Sequence, residues 1–157
     1  MDQEEFVART EAVKARLYRT AYLYLGREAD ALEAVDEAVY QALRALRQLR
    51  QEEYFEYWLT RILINLCKDE LKRRDREITT DSIPEVSQEY LDTLPLKEAV
   101  SALPEDLKAV IILRYFTGLT LEETASALEI PRGTVSTRQK RALELLRLDL
   151  EEKEVGI

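Results

Sequence analysis

Between Ile130 and Leu143 the chain carries four cations (Arg132, Arg138, Lys140 and Arg141), three hydroxyls (Thr134, Ser136 and Thr137) and no acid. Cations and hydroxyls gathered at a helix start offer charge and hydrogen bonds to phosphates and base edges, the chemistry of a DNA-reading helix. The elements that must hold such a helix can be read around it. Thr120 precedes an apolar-periodic run and Glu123 follows at capping-box spacing, so a helix starts at Thr120. It stops near Glu129, because Pro131 lacks an amide hydrogen and pushes Ile130 out of helical geometry, and Gly133 lies just beyond. A second helix begins at Pro131 or Arg132. A basic face is often only a solvated one, but this window is wholly cationic in a chain of net charge -8.

A second constellation lies upstream. Tyr54, Phe55, Tyr57 and Trp58 adjoin a helix whose far end carries Lys68, Lys72, Arg73, Arg74 and Arg76. Aromatic faces stack on unpaired bases at about 1 to 3 kcal/mol per base while cations hold the backbone. Opening duplex DNA forfeits roughly 1.4 kcal/mol per base-pair step, so one or two captured bases offset much of a small melt. Trp58 shares a stripe with Ile62 and Leu66 and belongs with the core. Tyr54 and Phe55, at the loop edge, are the candidates for stacking.

Composition bounds the rest. The 157 residues, 46% apolar and 34% charged, fit a helix-rich protein of one ordinary domain or two small ones. Four Gly and four Pro leave room for few breaks and therefore for long helices. No run approaches the roughly 20 apolar residues of a membrane span, and the N-terminal MDQEEF is acidic where a secretory signal is basic then apolar. The expectation is a cytoplasmic protein without membrane insertion. With one cysteine, Cys67, and no histidine, no internal disulfide forms and the usual zinc site and general base are missing, so neither catalysis nor a cofactor is expected. Residues 1–78 hold 14 basic and 16 acidic groups, whereas 79–95 hold none and 4. Each end is near-neutral with local basic clusters, so the free chain binds DNA weakly and needs a partner to reach it.

The expected architecture is all-α. Helices are expected over 4–25 (Phe6, Val13, Leu17, Ala21 and Tyr24 inward, Gly26 ending the run), 28–49 (Leu32, Val35, Val39, Leu43 and Leu46 inward) and 54–74 (Trp58, Leu59, Ile62, Leu63, Leu66 and Leu71 inward). They share one core as domain 1–77. Residues 78–93 lose helical periodicity and positive charge and read as a flexible acidic linker. In 94–157 a short helix over 96–103 precedes one that Pro104 starts and Gly118 stops, and the helix-turn-helix completes a four-helix domain. The tail EEKEVGI offers only charge and is expected to fray.

The pattern DALEAVDEAVYQAL, then YFEYWLTRILIN with its basic helix end, then LPEDLKAVIILRYFTGLTLEETASALEIPRGTVSTRQKRAL, resembles the extracytoplasmic-function class of bacterial sigma factors over nearly the whole chain. The resemblance implies an alternative sigma factor that binds core RNA polymerase through the clamp helices of the largest subunit and through the flap. It further implies promoter recognition and melting, and an anti-sigma partner. By position, Asp30, Glu33, Asp36 and Glu37 fall on the helix that docks to polymerase, although ordinary solvated charge suits Glu33. Aspartate at Asp36, where the family often has glutamine, keeps an acceptor and loses a donor. The loop 50–55 corresponds to the segment that captures a flipped base. Asn65, Lys68, Lys72 and Arg73 correspond to the face meeting the minus-ten strand. Thr134, Ser136, Thr137, Arg138, Lys140 and Arg141, with Arg132, correspond to the minus-35 reader, and Arg114 to a phosphate contact. Ser136 replaces the family's usual cation, which weakens or alters readout.

Sixteen linker residues reach at most about 50 Å, against about 34 to 36 Å for one turn of DNA, so two domains can touch sites one to two turns apart. Two other readings remain. A conventional helix-turn-helix regulator would bind a symmetric operator without polymerase. An acidic helical adaptor would bind only protein partners.

Overall fold

The computed structural model describes residues 1–76 and 94–155, with side chains at 94, 95 and 148–155 excepted. The linker expected at 78–93 lies outside the described residues. The chain divides into two compact units, Met1–Val86 and Ser87–Ile157. Among the described residues every regular element is helical, and none is long and apolar enough to cross a membrane.

The first unit consists of α1 (Gln3–Leu25), α2 (Glu28–Arg44) and α3 (Phe55–Arg76). Asp2 starts α1 by accepting a hydrogen bond from the Glu5 amide at 2.8 Å, which satisfies one of the amides that a helix start leaves open. Gly26 ends it at φ 77°, a left-handed value that glycine adopts without a Cβ clash. The two-residue connection makes α2 an antiparallel neighbour of α1.

On α2 the structure corrects the expected stripe. The buried face is Ala31, Val35, Ala38 and Ala42, while Leu32 and Leu43 are 52% and 45% exposed. Both faces are apolar, so periodicity alone does not separate them. Packing selects the small side chains because α1 and α3 supply the bulk, through Phe6, Leu17, Phe55, Leu59 and Leu63, and alanine lets helices approach closely. The helix also stops at Arg44 rather than continuing to Leu49, giving way to the 3-10 turns Leu46–Gln48 and Glu52–Tyr54.

The buried stripe of α3 is centred on Leu59, Leu63 and Cys67, with Phe55, Thr60 and Ile64 beside it, and the expected Trp58, Ile62, Leu66 and Leu71 are only half-buried. Burial pushes the Cys67 thiol up to about 12, so it packs as a small apolar group. Near the other end of α3, Arg74 donates to the Leu25 carbonyl at 2.7 Å, to Asp30 at 2.5 Å and to Glu70 at 3.4 Å. One guanidinium thereby ties the end of α1 and the start of α2 to α3.

The second unit contains α4 (Leu94–Ser101), α5 (Glu105–Ile111), a π-helical continuation (Ile112–Phe116), α6 (Leu121–Leu128) and α7 (Arg132–Val155). The α5 run was expected to stay α-helical to Gly118. Instead the Thr117 amide donates to the Ile112 carbonyl at 2.9 Å, five residues back, and the widened turn lets Ile111, Ile112 and Leu113 all bury. Gly118 then reverses the chain at φ 83°. Thr120 caps α6 with the reciprocal pair expected: its hydroxyl accepts from the Glu123 amide at 3.0 Å, and Glu123 accepts from the Thr120 amide at 2.9 Å. In this structure α7 continues to Val155, and the last two residues of the tail lie outside the described residues.

Replacing Thr120 with alanine removes one half of this box and is expected to destabilise the second unit by about 1 kcal/mol. Calorimetry of the full chain checks this, with Thr120→Ser near wild type. A pH effect belongs to the first unit. The Arg9 guanidinium, hydrogen-bonded to Glu56, holds that carboxyl below its ordinary value of 4.5, and Arg73 does the same for Glu70. Between the lowered and ordinary values the unfolded chain binds more protons. The stabilisation is therefore complete above the ordinary value and lost as pH falls through the lowered ones. Glu56→Gln should lower stability at neutral pH and flatten its acid dependence, as read from denaturant midpoints across that range.

Candidate nucleic-acid interface

The turn between α6 and α7 decides how the basic helix is presented. Glu129, at φ 58° and ψ 45°, is the one non-glycine with positive φ among the described residues. Glu129 supplies the left-handed residue of the turn, and Gly133 lies in the first turn of α7. A side chain here costs about 1 to 2 kcal/mol. Compensation comes from the Ile130 amide donating to Ala125 at 3.1 Å and the Glu129 amide donating to Ser126 at 3.3 Å. In addition, Ile130 packs on the cluster of Val110, Ala125 and Val135. This is the Schellman arrangement, with its apolar contact in place.

With α7 so held, Val135, Ala142 and Leu146 are buried, and Ser136, Thr137, Lys140 and Arg141 are exposed on the opposite face. The Thr137 hydroxyl donates to the Gly133 carbonyl at 3.0 Å and keeps its lone pairs available. Arg132 and Arg138 flank this face, and Thr134 is half-buried beside it. Arg132 pairs with Glu122 at 3.3 Å, both largely exposed, an interaction worth little in water. Arg138 stands 3.8 Å from Asp106. Arg114 is turned inward: it donates to Gln139 at 2.8 Å and to the Leu119 carbonyl at 2.5 Å, bracing α7 against the turn before α6. Its partners are neutral oxygens, so it forms no surface salt bridge there. Gln139, its partner on α7, carried no signal in the sequence.

In the first unit, Asn65, Lys72 and Arg73 are exposed and Lys68 is half-buried on α3. Arg73 grips Glu70 with bonds of 3.0 and 2.7 Å. Arg74, counted with this basic end from sequence, belongs to the internal tie described above. The aromatic pair at the loop edge separates. Tyr54 is 54% exposed, but Phe55 is 0% exposed and meets Phe6 edge to face at a centroid distance of 5.4 Å. Phe55 is therefore a core residue and offers no face to a base, because the helix start points its ring inward. Trp58 is half-buried with its ring 6.1 Å from that of Phe55.

Of the acids on α2, Asp36 and Glu37 are exposed, and Glu37 accepts from Gln41 at 3.1 Å. Asp30 is held by Arg74, so it is the least available of the set. Asp30, Glu33, Glu37 and Glu70 line a hollow of about 330 Å³ together with Arg73, Leu25, Ala34 and Leu66.

Residues 10–77 match the family model described as Sigma-70 region 2, and residues 99–148 match Sigma-70, region 4. The chain is 31% identical to the RNA polymerase sigma factor SigV of Bacillus subtilis, over 91% of this chain and 89% of that protein. It is 30% identical to the ECF RNA polymerase sigma factor SigW of the same organism, over 95% and 90%. Among solved structures, the fold is similar to the sigma factor RpoE of Bartonella quintana in complex with the anti-sigma factor NepR. There the TM-score is 0.82 at 23% identity, covering 94% of this chain and 98% of that one. CnrH in complex with the cytosolic domain of CnrY gives a TM-score of 0.75 at 22% identity, covering 96% and 90%. With both sigma regions matched in order and relatives aligned along almost their full length, the chain belongs to the extracytoplasmic-function family of RNA polymerase sigma factors, an alternative sigma factor that directs transcription initiation.

Proposed function

We propose that this sigma factor engages polymerase first and promoter DNA second, with residues 1–77 carrying the polymerase and minus-ten contacts and 94–157 the minus-35 contacts. The family regulates transcription rather than catalysing a reaction, and no step here requires a catalytic group. The observation that carries the reading is the outward face of α7, where Ser136, Thr137, Lys140 and Arg141 stand exposed without an acid among them. A face of that chemistry fits the major groove, with Thr134 and the flanking Arg132 and Arg138 toward the phosphates. Arg114 retains donors on its second terminal nitrogen for a phosphate after making its two internal bonds.

Asn65, Lys68, Lys72 and Arg73 on α3 follow the minus-ten strand, and Tyr54 supplies the stacking face. One captured base, at about 1 to 3 kcal/mol, offsets one or two base-pair steps of melting at roughly 1.4 kcal/mol each. Full opening therefore draws on polymerase as well. Asp36 and Glu37 dock the clamp helices of the largest subunit, and the second unit meets the flap. A net charge of -8 disfavours DNA binding by the free chain, so two weak recognition events become effective only when joined on polymerase. The factor works in the cytoplasm. One solved neighbour is a sigma factor in complex with an anti-sigma factor, which supports such a partner for this chain too.

Transcription from a genomic fragment library by purified core polymerase, with and without this chain, tests the reading. New start sites preceded by a shared two-part sequence are expected, and a single symmetric operator bound without polymerase would refute it. On such a promoter, Lys72→Ala combined with Arg73→Ala should reduce opening, read by permanganate reactivity of unpaired thymines, several-fold more than polymerase affinity. Equal losses would overturn the division of labour.

A further inference from the structure

Arg9 lies on α1, forty-five positions before Tyr54, and belongs to none of the surfaces above. Its guanidinium nevertheless grips the segment on both sides of that tyrosine. One terminal nitrogen donates to the Glu52 carbonyl at 2.7 Å. The same nitrogen and Nε donate to the two Glu56 carboxylate oxygens at 2.7 and 2.8 Å. The guanidinium carbon also stands 5.1 Å from the centroid of the Phe55 ring. Residues 52, 55 and 56 are thus held from one point, and Tyr54, between them, is left exposed.

The geometry is demanding. A forked pair to a carboxylate needs the planar guanidinium, and the same positive group lies within cation–π range of the Phe55 ring. The Glu52 carbonyl accepts from the Phe55 amide as well, so Arg9 fastens the 3-10 turn at the atom that closes it. Phe6, one helical turn before Arg9, packs against Phe55. The turn is therefore anchored to α1 by an apolar contact and an ionic one together.

We propose that Arg9 is a positioning residue for promoter opening, which preorganises the Glu52–Tyr54 turn so that the Tyr54 ring is presented to an unpaired base without ordering the loop at the moment of capture. The inference rests on the reading of Tyr54 as the stacking face. Preorganisation raises the yield of a weak capture by removing an entropic cost from it. Acting through Tyr54, Arg9 should affect opening and leave the initial closed complex unchanged.

The test is a double-mutant cycle with the full chain bound to core polymerase, on a promoter found by the library experiment. Opening is read by fluorescence of 2-aminopurine in the melted strand, and polymerase affinity is measured separately. Tyr54→Ala should slow opening by roughly five- to 150-fold, the equivalent of a capture worth about 1 to 3 kcal/mol, Arg9→Ala should slow it by no more than that, and the double variant should be no slower than Tyr54→Ala alone. Arg9→Lys, which keeps the charge and loses the fork, should reproduce most of the Arg9→Ala loss and keeps the test valid if the alanine variant unfolds. If Tyr54→Ala has no effect, the stacking reading itself fails. If Tyr54→Ala slows opening but the Arg9 loss adds in full to it, or if Arg9→Lys opens like wild type, the positioning role is overturned.

Discussion

Each cation on this chain is contested between its own carboxylates and a foreign anion, because 31 acids face 23 bases. The structure divides them. Arg9, Arg74 and Arg114 turn inward and are spent on holding elements together. Lys72, Lys140 and Arg141 stand outward. The division follows side-chain chemistry: the inward groups are all arginines, whose planar fork satisfies a carbonyl and a carboxylate, or two oxygens of different elements, at once. Lysine, a compact and strongly hydrated point charge, loses more by leaving water and gains fewer bonds there.

The same logic explains how a DNA-binding protein can be acidic. Pairing removes several arginines from the surface field, so what remains is two short cationic faces on an anionic background. Such faces attract a polyanion locally while the whole chain repels it. Affinity then depends on delivery, in keeping with the proposal that polymerase is engaged first and DNA second.

Aromatic residues are divided in a comparable way. Phe55 and Tyr54 are neighbours in sequence and opposite in role, since the first residue of α3 is buried against α1 while the last residue of the preceding 3-10 turn is carried outward. A rigid core ring immediately after an exposed one gives the exposed ring a fixed base. The loop is thereby made part of the domain's packing, and its position is inherited from Phe6 and Arg9.

Local chemistry suffices to read the helical class, the Thr120 capping box, the stops at Gly26 and Gly118 and the basic start of α7, because each is set by residue types within about four positions of one another. Family order was equally legible from three motifs in succession. Which of two apolar faces of α2 is buried is set by packing between helices, since Ala31, Ala38 and Ala42 win over Leu32 and Leu43 through the size of what α1 and α3 place opposite them. Tertiary structure alone decides that Phe55 is core, that Arg74 and Asp30 satisfy one another, and that Arg9 reaches Glu56. Those outcomes depend on contacts between different helices, more than forty residues apart for Phe55, Arg74 and Arg9, and no local periodicity carries information about them.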